Sequence, residues 1–71
     1  MTKLELKQIV KKAFKEVFGF APTLKEIILL ESNMDDSYNM VQIGKYVYQI
    51  YRCYSIKSGW KIERYEENNE F

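Results

Sequence analysis

The chain has 71 residues, 46% hydrophobic and 15% aromatic, a composition that fits one folded domain over residues 1–71 and excludes a disordered chain. Its formal net charge of +1, from 11 basic and 10 acidic residues, is not that of a dedicated nucleic-acid binder, and no apolar run approaches the roughly 18 residues that span a membrane. Histidine is absent and Cys53 is the only cysteine, which excludes an intramolecular disulfide, a cysteine zinc site and the commonest general base.

The first predicted element is an amphipathic helix over residues 3–18. Thr2 and Glu5 have the spacing of a capping box, in which each side chain satisfies a backbone donor of the first turn. Leu6, Ile9, Val10, Ala13, Phe14 and Val17 recur at helical spacing and cover an arc of roughly 140°, enough for one buried face. Gly19 suits a left-handed cap, and Pro22 prevents continuation. Residues 1–18 are charged throughout and unlike a signal peptide, so a cytoplasmic protein is expected.

Residues 24–32 carry two signals. Thr23 and Glu26 repeat the capping-box spacing, which argues for a short helix. The apolar run Ile27-Ile28-Leu29-Leu30, bounded by polar residues, suits a buried strand, and strand is the preferred reading. Asn33 to Asn39 reads as a polar loop, with Asp35, Asp36 and Ser37 as turn residues.

The second half reads as three strands. Gly44-Lys45 suits a two-residue hairpin loop with Gly first, which pairs Ile43 with Tyr46 and Val41 with Tyr48. Lys57-Ser58-Gly59 suits a three-residue loop, which pairs Ile56 with Trp60 and Tyr54 with Ile62. Both registers put Val41, Ile43, Tyr46, Tyr48, Ile50, Tyr54, Ile56, Trp60 and Ile62 on one face, the candidate core. Residues 66–71, Glu-Glu-Asn-Asn-Glu-Phe, read as a frayed acidic tail. The predicted fold is therefore α+β: one N-terminal helix on a small antiparallel four-stranded meander, in the order α-β-β-β-β. A 16-residue helix is about 24 Å long and covers one sheet face, not two. The second face is left for water or a partner.

No catalytic constellation emerges. Cys53 falls mid-strand, Asp35 and Asp36 lack the spacing of a calcium loop, and all three glycines have turn assignments. We expect no enzymatic activity, no cofactor and no metal.

Three features bear on binding. Lys7, Lys11 and Lys15 recur every fourth residue on one helix flank, with Lys12 nearby, a mildly self-repelling stripe that suits an acidic partner or phosphates. The bland reading is that the polar face of a helix is simply charged. Residues 1–25 carry six Lys against two Glu, and residues 26–71 five basic against eight acidic groups, which either marks an interaction surface or attracts the two halves. The second feature is the open sheet face, where Val47, Tyr51 and Tyr65, with Met40 and Cys53, form an apolar island among Lys45, Gln49, Lys61 and Glu63. Tyr is favoured at interfaces, although it also simply suits strands. The third is an Arg pair: the register that aligns Tyr54 with Ile62 sets Arg52 opposite Arg64, a repulsion that calls for an anion between them, either Glu31, Glu66 or Glu67 or, on the functional reading, a bound phosphate or a partner carboxylate.

In its size, its use of Lys over Arg, its many Ile, Tyr and Asn residues, and its single helix and meander, the chain resembles small accessory proteins of bacteriophages and mobile elements, anti-CRISPR proteins among them. That resemblance implies inhibition of host or defence machinery by steric occupation. The expectation is a protein-binding module. Nucleic-acid binding through the Lys stripe and the Tyr-bearing face is the alternative, and a structural homodimer the third reading.

Overall fold

Helix α1 spans Lys3–Phe18 in the computed structural model of the chain, which describes residues 2–33 and 37–65. Its start follows from the capping box: the Glu5 N–H donates to Thr2 Oγ1 at 3.1 Å, and the Thr2 N–H donates to Glu5 Oε1 at 2.8 Å. Its end follows from Gly19, left-handed at φ 86°, whose N–H donates to the Lys15 carbonyl at 2.9 Å. Leu6, Val10, Ala13 and Phe14 form the buried stripe, while Val17 at its end is exposed.

Both signals in residues 24–32 are expressed, one after the other. The Thr23–Glu26 capping box starts a single 3-10 turn, Leu24–Glu26, and strand β1, Ile27–Ser32, follows directly. The Ile27 N–H closes the turn on the Leu24 carbonyl. Strands β2, Tyr38–Ile43, β3, Tyr46–Arg52, and β4, Trp60–Arg64, complete an antiparallel sheet of order β1-β2-β3-β4. The architecture is the predicted α-β-β-β-β, with one helix on a four-stranded meander. The tail read over 66–71 lies outside the described residues, as do Asp35 and Asp36.

The first hairpin has the predicted register, Ile43 with Tyr46 and Val41 with Tyr48, and Gly44 supplies the positive φ of 65° that a two-residue loop needs. Two expectations are corrected. Tyr38 and Asn39 belong to β2 and not to the loop: Asn39 pairs with Ser32 and Ile50 and is fully buried. The β3–β4 connection is residues 53–59 and not three residues. The Cys53 N–H donates to the Gly59 carbonyl, and between them Ile56 N–H bonds back to Cys53 and Gly59 N–H to Ile56, two successive tight turns. Tyr54 and Ile56 therefore leave the core, and Tyr54 is 88% exposed. Trp60 pairs with Arg52 and Ile62 with Ile50, a displacement of four residues from the expected register. Because side-chain direction has period two, an even slip leaves every strand residue on its expected face.

The core sits between α1 and one sheet face. Val10, Ala13 and Phe14 meet Ile27, Val41, Ile50 and Trp60, with Ile43, Tyr48 and Ile62 packed at the margin. The Phe14 ring stands edge-on to Tyr48, centroids 5.2 Å apart.

Candidate interaction surface

The face of the sheet away from α1 has no element over it among the described residues. Alternation along the strands brings Tyr38, Met40 and Gln42 of β2 beside Val47, Gln49 and Tyr51 of β3, and these beside Lys61 and Glu63 of β4. Tyr65 follows β4 and lies against Val47, whose carbonyl accepts its N–H at 2.8 Å. The ring tips are tied together. Gln49 Nε2 donates to Tyr38 Oη at 3.0 Å and also to Tyr65 Oη. Lys61 Nζ stands 3.4 Å from Glu63 Oε2, and the Tyr51 hydroxyl bonds to the same carboxyl group. Partial burial, then this bond to Glu63, pushes the Tyr51 hydroxyl above its ordinary pKa, and the bond to Glu63, then the nearby Tyr51, raises Lys61. The result is a braced aromatic surface whose rings have defined positions before any partner arrives. Preformed rings lose little conformational freedom on binding.

Of the residues singled out in the sequence, Val47, Tyr51 and Tyr65 are brought together on this face, with Met40 opposite Gln49. Cys53 lies beyond the end of β3, its Sγ 3.3 Å from Ser55 Oγ, a bond that lowers the thiol pKa. The Arg pair does not form. With the longer loop, Arg52 pairs with Trp60 and Arg64 with Tyr48, and no anion between the two is required. Each guanidinium instead stacks on an aromatic ring, Arg52 at 3.9 Å from the Trp60 centroid and Arg64 at 4.4 Å from that of Tyr46. The lysines lie elsewhere. Lys11, Lys12 and Lys15 line an open groove with Gln8 and Ala21, and Lys15 Nζ donates to the Gly19 carbonyl as part of the helix cap. They share no surface with the tyrosines, because α1 sits on the opposite side of the sheet.

The structure also exposes apolar residues that the pattern did not mark. Phe18 and Phe20 flank the cap glycine with rings 6.0 Å apart, and Phe20 is 66% exposed. With Phe14, Pro22, Ile43 and Tyr48 they line an open notch of about 410 Å³. The Phe-Gly-Phe triplet was the available signal, since a residue following a left-handed cap usually folds back onto the helix. On β1, Ile28 is 52% and Leu30 48% exposed, although the run that contains them reads as buried. Among the described residues no group of His, Cys, Asp or Glu is placed to hold a metal ion, and no helix is long and apolar enough to cross a membrane.

No family model matches this chain, and neither a curated protein nor a solved structure is significantly similar to it.

Proposed function

We propose that the chain is a non-catalytic binding module whose uncovered sheet face docks on a protein. One observation carries this reading: Tyr38, Tyr51 and Tyr65, braced at their hydroxyls, stand with Val47 on a face that no element of the chain covers among the described residues. Such a face contributes contact area from rings already held in place, with polar tips to satisfy at the rim. The absence of histidine from the sequence supports the non-enzymatic half of the reading. The resemblance to phage accessory proteins supplies the cellular role: a cytoplasmic module that covers a working surface of host or defence machinery.

The test is affinity capture from host lysate with the wild-type chain beside the double variant Tyr51→Ala, Tyr65→Ala, each checked for fold by circular dichroism. A protein retained by the wild type and lost with the variant supports the proposal. No retained protein, or equal retention by both, sinks it. The lysine groove favours a second reading, nucleic-acid binding, which a salt titration separates: affinity for single- or double-stranded probes would fall log-linearly with salt concentration.

A further inference from the structure

The two edges of the sheet are treated differently. Sheet order makes β1 and β4 the edges. The β4 edge is guarded by charge, with Lys61, Glu63 and Arg64 in a five-residue strand. Charges on an edge oppose pairing with another chain. The β1 edge begins with four consecutive apolar residues, Ile27 to Leu30, and carries one acid, Glu31, past the point where its register with β2 slips. Such an edge is a ready template for an added strand.

Backbone alternation says which groups are offered. The Arg52 N–H donates to the Ser37 carbonyl, and the Asn33 N–H to the Tyr38 carbonyl, so odd-numbered residues of β2 turn their backbone to β3 and even-numbered ones to β1. Ile28 lies opposite Gln42 and spends its N–H and C=O on β2. Leu29, its neighbour, directs both groups outward. The Ile27 N–H is already taken by Leu24, so the offered window centres on Leu29.

Charge sets the character of the guest. Lys3 shares a groove with Leu29, Leu30, Glu31 and Ser32, and Lys11 and Lys15 share one with Gln8, Lys12 and Ala21, which leads into the turn before β1. The stripe Lys3-Lys7-Lys11-Lys15 therefore starts beside β1 at Lys3 and, turning about 40° with each step, winds toward the solvent side of α1 at Lys15. A strand added there places alternate side chains on the two sides of the sheet. Those on the α1 side meet the lysine flank. Those on the other side meet Ile28 and continue the open face. A second copy fits poorly, because two-fold pairing of β1 edges brings two lysine flanks together.

We propose that the β1 edge accepts an extended protein segment that alternates acidic with apolar residues, paired to the backbone of Leu29. This deepens the binding-module reading and rests on it, but uses a different surface from the tyrosine face.

The probe is a short synthetic peptide alternating glutamate with valine, titrated into the full chain at low salt and followed by amide hydrogen exchange and NMR shifts. We expect binding that weakens with salt, protection of the Leu29 amide on binding, and no binding of the matching lysine–valine peptide. Ile28→Lys and the pair Lys7→Glu, Lys11→Glu, at positions outside the buried core, should each weaken binding about tenfold or more, a change of about 1.4 kcal/mol. Tyr51→Ala, Tyr65→Ala should leave it intact, which separates failure of this inference from failure of the tyrosine-face reading. No binding, binding without protection at Leu29, or equal binding of the lysine peptide overturns it. So does a Leu29 amide protected in the free chain, whether that protection is lost on dilution, which assigns the edge to a second copy, or on removal of residues 66–71, which assigns it to the chain's own acidic segment.

Discussion

Asn39 is the one polar residue with a fully buried side chain among the described residues. Its Oδ1 accepts from Ser32 Oγ at 2.5 Å, but its Nδ2 has no partner among them. A buried donor without a partner costs on the order of 1–3 kcal/mol. Asn39→Val removes that donor, suits a strand better, and leaves Ser32, which is half-buried, with access to water. We expect a gain of about 1 kcal/mol, read as an upward shift of Tm by about 4–8 °C in thermal denaturation. A loss of stability instead would show that the amide has a partner in solution. Nothing in the sequence marks Asn39 as internal. It follows a run of turn residues, and its burial is fixed only by its pairing with Ile50 and Ser32, contacts distant along the chain.

At the scale of elements, the parts governed by local chemistry were legible and the parts governed by competition were not. The α1 boundaries follow from Thr2, Glu5 and Gly19, whose bonds are all within five residues. The strand faces follow from alternation, which is why Val47, Tyr51 and Tyr65 were placed correctly on the open face. The β3–β4 loop was misread because Tyr54 and Ile56 continue the alternation of β3. The two tight turns of residues 53–59, and the stacking of Arg52 on Trp60 where the ladder begins, decide otherwise. Ile28 was hidden because a run of four apolar residues looks the same at a buried strand and at an unguarded edge. The two capping boxes carry a prediction. Bonds from the backbone N–H of Thr2 and of Thr23, and then from their hydroxyls, hold the Glu5 and Glu26 carboxyl groups below the ordinary carboxylate pKa. A depressed folded-state pKa gives stability that is present above the unfolded value and is lost as pH falls through the folded one. Thr2→Ala should cost about 1 kcal/mol near neutral pH. The double variant Glu5→Gln, Glu26→Gln removes both titrating groups and should flatten the acid limb of a plot of Tm against pH. An acid limb as steep as that of the wild type would assign it to other carboxyl groups.

At the scale of the whole molecule, everything depends on a small core serving two exposed surfaces. A chain of this length has a total stability of about 4–10 kcal/mol. Its buried set is short, and Trp60 is the largest member, 4% exposed and joined in one cluster with Val10, Phe14, Ile27 and Ile50. Truncating such a residue costs about 3–5 kcal/mol, a large share of that total. Trp60 also holds the β3–β4 register, because it opens β4 opposite Arg52 and supports the guanidinium stacked on it. Trp60→Ala should therefore abolish the cooperative thermal transition, or lower its midpoint by more than the Asn39→Val gain can restore. Arg52→Ala takes the guanidinium off the exposed side of the Trp60 ring, a contact worth about 0.5–1 kcal/mol, and should leave the cooperative transition in place. Comparing the two by circular dichroism separates the register-holding role of the ring from that of the cation. Equal effects would mean that the Arg52 side chain fixes the register. Binding tests belong on Ile28, Tyr51, Tyr65 and the lysine flank, because those side chains lie outside the small group of buried residues that holds helix and sheet together.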